Sequence, residues 1–308
     1  MSLGFIFPGQ GSQAMGMLAG LAASHETVIS TFKEASEVLG YDLWQVVQEG
    51  PAERLNSTEV TQPAMLSAGV AVWRVWQAQG GPQPSVMAGH SLGEYSALVC
   101  AGSLAFADTV ALVEARGKLM QQAVPAGSGA MAAILGLDDD AVREVCTAAA
   151  EGDVVEAVNF NSPGQVVVAG QKSAVERATV IAKEKGAKRA VLLPVSVPSH
   201  CSLMKPAAEQ LAERLQAVEI KSPGIKVINN VDVAGAASAD EIRDALVRQL
   251  YQPVRWVETI QAMHAEGITW VIESGPGKVL AGLNKRIVKS MTALPVYDGD
   301  TLAAALAS

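Results

Sequence analysis

Gly89-His90-Ser91-Leu92-Gly93 places a serine between two glycines at the spacing G-x-S-x-G. At a sharp strand-to-helix bend this spacing holds the serine in a strained backbone and lifts its hydroxyl beside a helix N-terminus, ready for nucleophilic attack. Glycine suits the flanking positions because side chains there would collide with neighbouring elements. A serine hydroxyl is a weak nucleophile without a base, and the chain has four histidines from which to choose one. His25 and His264 lie in polar helical patterns and read as surface residues, and His90 is turned elsewhere by the bend itself. His200 closes Val195-Ser196-Val197-Pro198-Ser199-His200, a strand end leading into a loop, where a side chain can lean over a sheet edge. It is the candidate base. Charge developing on a carbonyl oxygen needs two fixed donors, for which the N–H of Leu92 and the Gly9-Gln10-Gly11 turn are the candidates. The purely structural alternatives are a helix-capping Ser91, an ordinary loop histidine at 200 and a glycine turn with no chemical role.

A second signal is Arg116. Glu114 and Lys118 form an i, i+4 pair that marks the solvated face of a helix over 108–122. Arg116, two residues from each, is about 200° around the helix at about 100° per residue. That places it with Val113, Gly117 and Met120, pointing inward. A buried guanidinium must meet a carboxylate, carbonyls or an anionic ligand. Two readings stay open: an internal salt bridge, or bidentate recognition of a free carboxylate on an acyl group.

The elements that would position these groups alternate between strand and helix. A short strand over 3–7 runs into Pro8-Gly9-Gln10-Gly11-Ser12; helical patterns over 26–39 and 61–79 precede a Pro/Gly break at 80–84, a strand over 85–89 and an apolar helix over 91–101. From 129 to 195 the order becomes strand 130–137, helix 139–150, strand 154–160, turn 161–164, strand 165–169, helix 173–185 and strand 190–195. That is the βαββαβ order of a ferredoxin-like unit. Helix 203–218, strand 226–231, helix 240–250 and a last strand over 269–273 follow, the last ending in Ser274-Gly275-Pro276-Gly277 and a further helix. The expected fold class is α/β: a large subdomain over 1–126 and 198–308 with a mostly parallel sheet, and an inserted ferredoxin-like small subdomain over 127–197.

Composition narrows the function classes. With 308 residues, 49% of them hydrophobic, the chain can bury a substantial core. Residues 1–7 carry no basic residue and reach Pro8 too soon for a signal-peptide core, and no apolar run attains a membrane span. Cys100, Cys146 and Cys201 form no CxxC pair and leave one thiol over under any disulfide scheme, which indicates a reducing compartment and hence the cytoplasm. A net charge of −8 argues against nucleic acid as a partner. The isolated histidines and the cysteine spacing suggest no metal site. Lys188-Arg189 and Lys285-Arg286-Lys289 are the basic clusters able to face an acidic protein, although solvated surface is their plainer reading.

Phe7-Pro8-Gly9-Gln10-Gly11-Ser12-Gln13, Gly89-His90-Ser91-Leu92-Gly93-Glu94-Tyr95, Asn159-Phe160-Asn161-Ser162-Pro163-Gly164-Gln165, Pro198-Ser199-His200 and Gly275-Pro276-Gly277-Lys278 together resemble the malonyl-CoA:acyl carrier protein transacylases of bacterial fatty-acid synthesis, nearly end to end. The resemblance implies an α/β-hydrolase-like large subdomain with the ferredoxin-like small one. It implies Ser91 as nucleophile, His200 as base, the N–H groups of Gln10 and Leu92 as oxyanion hole, and Arg116 as the binder of the malonyl carboxylate. Gln249 matches the glutamine whose main-chain carbonyl orients the histidine, and Gln62 and Asn161 match positions near the pocket. The implied substrates are malonyl-CoA, a coenzyme A thioester, and holo acyl carrier protein, with no permanently bound cofactor. Ser199 departs from the phenylalanine of many malonyl-specific relatives and keeps methylmalonyl open as an alternative acyl group. A thioesterase or esterase on the same serine bend and a catalytically dead carrier-docking module are the competing functions. Against the hydrolases, no convincing triad acid precedes His200 between 187 and 199.

Overall fold

A computed structural model describes residues 2–125, 127–195 and 197–308. Among these residues nine strands divide between two sheets. In chain order they are β1 (Ser2–Phe7), β2 (Val86–Gly89), β3 (Gly129–Leu135), β4 (Val155–Ser162), β5 (Gln165–Gln171), β6 (Arg189–Leu192), β7 (Lys226–Ile228), β8 (Ile268–Ser274) and β9 (Thr292–Val296).

The larger sheet has the order β7-β2-β1-β8-β9, and each neighbouring pair runs parallel. Its central strands are near-continuous buried runs, as expected when helices cover both faces. On one face Phe5 meets Trp73 and Trp76 of the Thr58–Ala78 helix edge-on, with ring centroids 4.9 and 5.3 Å apart. On the other, Ile6 and Ala88 pack with Trp256, Ile260 and Met263 of the Trp256–Ala265 helix.

The smaller sheet is antiparallel, with the order β4-β5-β3-β6. The Asp139–Ala150 and Lys172–Glu184 helices cover one face with a core of their own, so the βαββαβ order is present as a ferredoxin-like layer. From its other face Met131, Val158, Val167 and Ala169 pack around Cys201, the residue after His200. Backbone bonds tie β4 to the chain beyond Gln249: Val254 N–H donates to Val158 O at 2.8 Å and Phe160 N–H to Val254 O at 3.0 Å. Glu156 of β4 also accepts from the N–H and hydroxyl of Ser202 at 3.2 and 2.5 Å. The small sheet is thus fastened beside both His200 and Gln249.

The structure corrects several expected boundaries. The strand expected over 269–273 is not the last: β9 forms the parallel edge beside it, and the Gly299–Leu306 helix follows. The strand expected over 226–231 stops at Ile228, because the Asn229 side chain accepts from the N–H groups of Val231 and Asp232 and turns the chain. The strand expected over 154–160 continues to Ser162, so Asn161 sits on β4 and not in the turn. The strand expected to reach 195 ends at Leu192.

Candidate active site

β2 ends at Gly89 and the Gly93–Cys100 helix begins four residues on, so the bend closes within His90-Ser91-Leu92. Only glycine fits on either side: a Cβ on Gly89 would lie 1.9 Å from the Gly93 carbonyl carbon, and one on Gly93 2.0 Å from the Phe7 carbonyl oxygen. Ser91 itself sits at φ 51°, a left-handed conformation costing about 1–2 kcal/mol for an L-residue. The loop after β1 rides directly on the bend, since a Cβ on Gly9 would come within 2.4 Å of the His90 carbonyl oxygen.

His200, 3% exposed, also adopts a left-handed backbone, at φ 66°, and its N–H donates to Leu250 O at 2.9 Å. Its ring bridges two groups: Nε2 lies 2.7 Å from Ser91 Oγ, and Nδ1 lies 2.6 Å from the Gln249 carbonyl oxygen. A carbonyl only accepts, so Nδ1 carries the proton and Nε2 presents its lone pair to the hydroxyl. Burial, and then the nearby Arg116 charge, push the His200 pKa down to about 3. The ring is therefore neutral near pH 7, the form in which an imidazole can accept a proton. With its folded-state pKa lowered, His200 contributes stability in full above its unfolded pKa of about 6.5, and the contribution is lost as pH falls toward 3. Nitrogen-15 NMR of the His200 ring is expected to show one neutral Nδ1–H tautomer from pH 8 to pH 5; an imidazolium transition near pH 6.5 would contradict this assignment.

Gln10 follows Gly9 in the loop that rides on the bend, and Leu92 directly follows Ser91. Neither N–H donates to an acceptor among the described residues, and the Leu92 N–H stands at the start of the Gly93–Cys100 helix, where a negative oxygen is favoured.

Arg116 lies on the Phe106–Ala123 helix and is 1% exposed, while Glu114 and Lys118 pair at 2.8 Å toward solvent. Gly117 beside it brings this helix against the start of the Thr58–Ala78 helix, because a Cβ there would fall 2.6 Å from Glu59 Cα. That contact delivers Gln62, whose side-chain oxygen accepts from Arg116 at 2.8 Å. Gln249 Oε1 accepts a second bond from Arg116 at 3.1 Å. Arg116 makes no ion pair among the described residues, and its Nε has no partner there. Of five guanidinium N–H groups, two are committed to neutral amide oxygens, and the cation keeps donors for an anion.

Gln249 is the hub. Its main chain holds His200, its side-chain oxygen holds Arg116, and its Nε2 donates to Ser91 O at 3.0 Å and to Glu94 at 2.8 Å. Glu94 and Asn230 complete the cluster and were not singled out from the sequence as site residues. Glu94 is the one charge in the apolar 91–101 stretch, which was its available signal; nothing in the pattern around Asn230 distinguishes it. Burial raises the Glu94 pKa to about 7, against the Asn230 N–H, the Gln249 amide and the Arg116 charge. Asn161 reaches the site indirectly, 2.8 Å from His90 Nε2, and burial lowers the pKa of that second histidine.

The two basic clusters converge. Leu135 pairs with both Gln165 and Arg189 across β3, and Arg286 donates to Gln165 Oε1 at 2.8 Å. Lys188, Arg189, Lys285, Arg286 and Lys289 are all exposed, at the end of the small sheet whose β4–β5 hairpin also carries Asn161. No helix among the described residues is long and apolar enough to cross a membrane.

A serine in a strained bend after a parallel strand, an imidazole at hydrogen-bond distance and a buried cation with no ion pair among the described residues fit the acyl-transfer class of site. Comparison with known proteins narrows the class. The sequence pattern described as "acyl transferase domain" matches residues 4–303. The malonyl CoA-acyl carrier protein transacylase of Escherichia coli (strain K12) is 61% identical, with 98% of each chain covered. The solved acyl carrier protein S-malonyltransferase of Vibrio cholerae O1 biovar eltor is 62% identical with TM-score 0.96, covering 99% of each chain. A malonyl-transacylase solved with its type II PKS acyl-carrier protein is 58% identical with TM-score 0.99, covering 100% of this chain and 99% of that one. The chain belongs to the acyl transferase family and, within it, to the malonyl CoA-acyl carrier protein transacylases.

Proposed function

We propose that the protein transfers the malonyl group from malonyl-CoA to the phosphopantetheine thiol of holo acyl carrier protein, supplying fatty-acid elongation, through a malonyl ester of Ser91. His200 takes the Ser91 proton as the hydroxyl attacks the thioester carbon. The C–S bond breaks as the tetrahedral intermediate collapses, and His200 returns the proton to the departing coenzyme A thiol. In the second half the carrier thiol attacks the ester, and its proton passes through His200 back to Ser91. Coenzyme A leaves before the carrier thiol reacts, so the cycle is ping-pong, and thioester, ester and thioester are close enough in energy for it to be reversible. Gln10 and Leu92 N–H groups receive the oxyanion in both halves, and Arg116 takes the distal carboxylate.

The observation that carries this reading is the conjunction of the 2.7 Å Ser91–His200 contact with a buried guanidinium whose hydrogen bonds among the described residues go to amide oxygens. A neutral ester or thioester gives such a cation nothing to bind, which disfavours a simple hydrolase. The converged basic patch of Lys188, Arg189, Lys285, Arg286 and Lys289 is the proposed landing surface for an acidic carrier. We further propose the division into a catalytic subdomain over 1–126 and 198–308 and a small subdomain over 127–197, supported by their separate cores, and a cytoplasmic location, supported by free Cys100, Cys146 and Cys201.

The test is intact-mass spectrometry after brief exposure to malonyl-, methylmalonyl- or acetyl-CoA, followed by holo acyl carrier protein. A single malonyl adduct that the carrier discharges faster than water does is expected. Discharge to water at the same rate would favour the thioesterase, and a dominant methylmalonyl adduct would reassign the acyl group.

A further inference from the structure

Ser91 is held in an unfavourable backbone conformation, so something must hold it, and the bond partners of the bend identify what does. The Ser91 N–H donates to Asn230 Oδ1 at 2.7 Å, and Asn230 Nδ2 donates to Gly89 O at 2.7 Å. One fully buried amide therefore grips the chain on both sides of His90. Asn230 is gripped in turn: its own N–H donates to Glu94 Oε2 at 2.9 Å, and that same oxygen accepts from Gln249 Nε2. Asn230 follows β7, which pairs directly with β2, so the amide reaches the bend from the adjacent strand end.

We propose that Asn230 is a positioning residue for transfer: it clamps the bend so that Ser91 Oγ stays in line with His200 Nε2. The inference rests on the reading of Ser91 as nucleophile. Without the clamp the buried Ser91 N–H and Gly89 C=O lose these partners, and an unmet buried donor or acceptor is destabilising. The left-handed turn then relaxes toward a conformation that moves the hydroxyl. A displacement near 1 Å at a reacting group costs roughly a hundredfold in rate.

Rapid-quench measurement of malonyl-enzyme formation tests this. In Asn230→Ala the acylation rate is expected to fall roughly a hundredfold, while the Kd for malonyl-CoA, compared between Ser91→Ala and Ser91→Ala/Asn230→Ala, changes less than about threefold. In a His200→Ala background, where no base remains to align, removing Asn230 is expected to cost less than about threefold further. Wild-type acylation by Asn230→Ala, an equal loss with and without His200, or a matching loss of binding would overturn the proposal. Should Asn230→Ala fail to fold, Asn230→Asp keeps shape and the acceptor for Ser91 but sets an oxygen against Gly89 O; it is expected to acylate about tenfold more slowly or worse, and unchanged acylation overturns the clamp. Failure of the nucleophile reading would look different, since Ser91→Ala would then still acquire label.

Discussion

Ser91→Ala is expected to take up no malonyl label from malonyl-CoA and to lose transfer by roughly four to six orders of magnitude, the scale seen when a serine enzyme loses its nucleophile. The size follows from the site's design. In the proposed mechanism His200 takes the proton of this oxygen, Gln249 and Asn230 hold the Ser91 backbone, and the N–H groups of Gln10 and Leu92 receive the oxygen of the carbonyl under attack. Removing the oxygen leaves a binding pocket with no covalent route. Intact mass and carrier-protein malonylation, both on freshly purified enzyme, measure it, and label surviving in Ser91→Ala would eliminate this residue from the chemistry.

The second large effect is selective. Arg116→Ala is expected to cost malonyl transfer about 2–5 kcal/mol, the range for truncating one partner of a buried charged pair, or roughly 30- to 5,000-fold in kcat/KM. Acetyl transfer, which offers the guanidinium no carboxylate, is expected to fall by less than about tenfold. Some common loss is built in, because Gln249 touches Arg116 through its side chain and His200 through its main chain. The ratio of malonyl to acetyl kcat/KM is therefore the quantity to measure. Equal losses on both substrates would reject carboxylate recognition.

Much of the architecture was legible in the sequence because alternation of short apolar strands with amphipathic helices is a local pattern. The Glu26–Leu39 and Asp139–Ala150 helices fall on their expected bounds, and the βαββαβ order of the small sheet could be read before any pairing was known. β9 was not legible: it is a half-buried edge strand containing Pro295, and its strand character comes from pairing with β8. At the site, the glycines at 89 and 93 announced the bend sterically, and helical phase turned Arg116 inward. The hydrogen-bond hub was hidden, because Gln249, Asn230 and Glu94 meet across separations of 136 and 155 residues that no local period encodes. The role of Gln249 came only from resemblance, since a main-chain carbonyl leaves no mark on residue type.

That carbonyl has a chemical consequence. An imidazolium backed by a peptide dipole lacks the full counter-charge a carboxylate would provide, so it is short-lived and returns its proton promptly. A thiol, with an unperturbed pKa near 8.5, needs little help to ionise; water needs a great deal. In the proposed mechanism so modest a proton acceptor would discriminate between the two nucleophiles by acidity, and would let the serine ester wait intact for a sulfur to arrive.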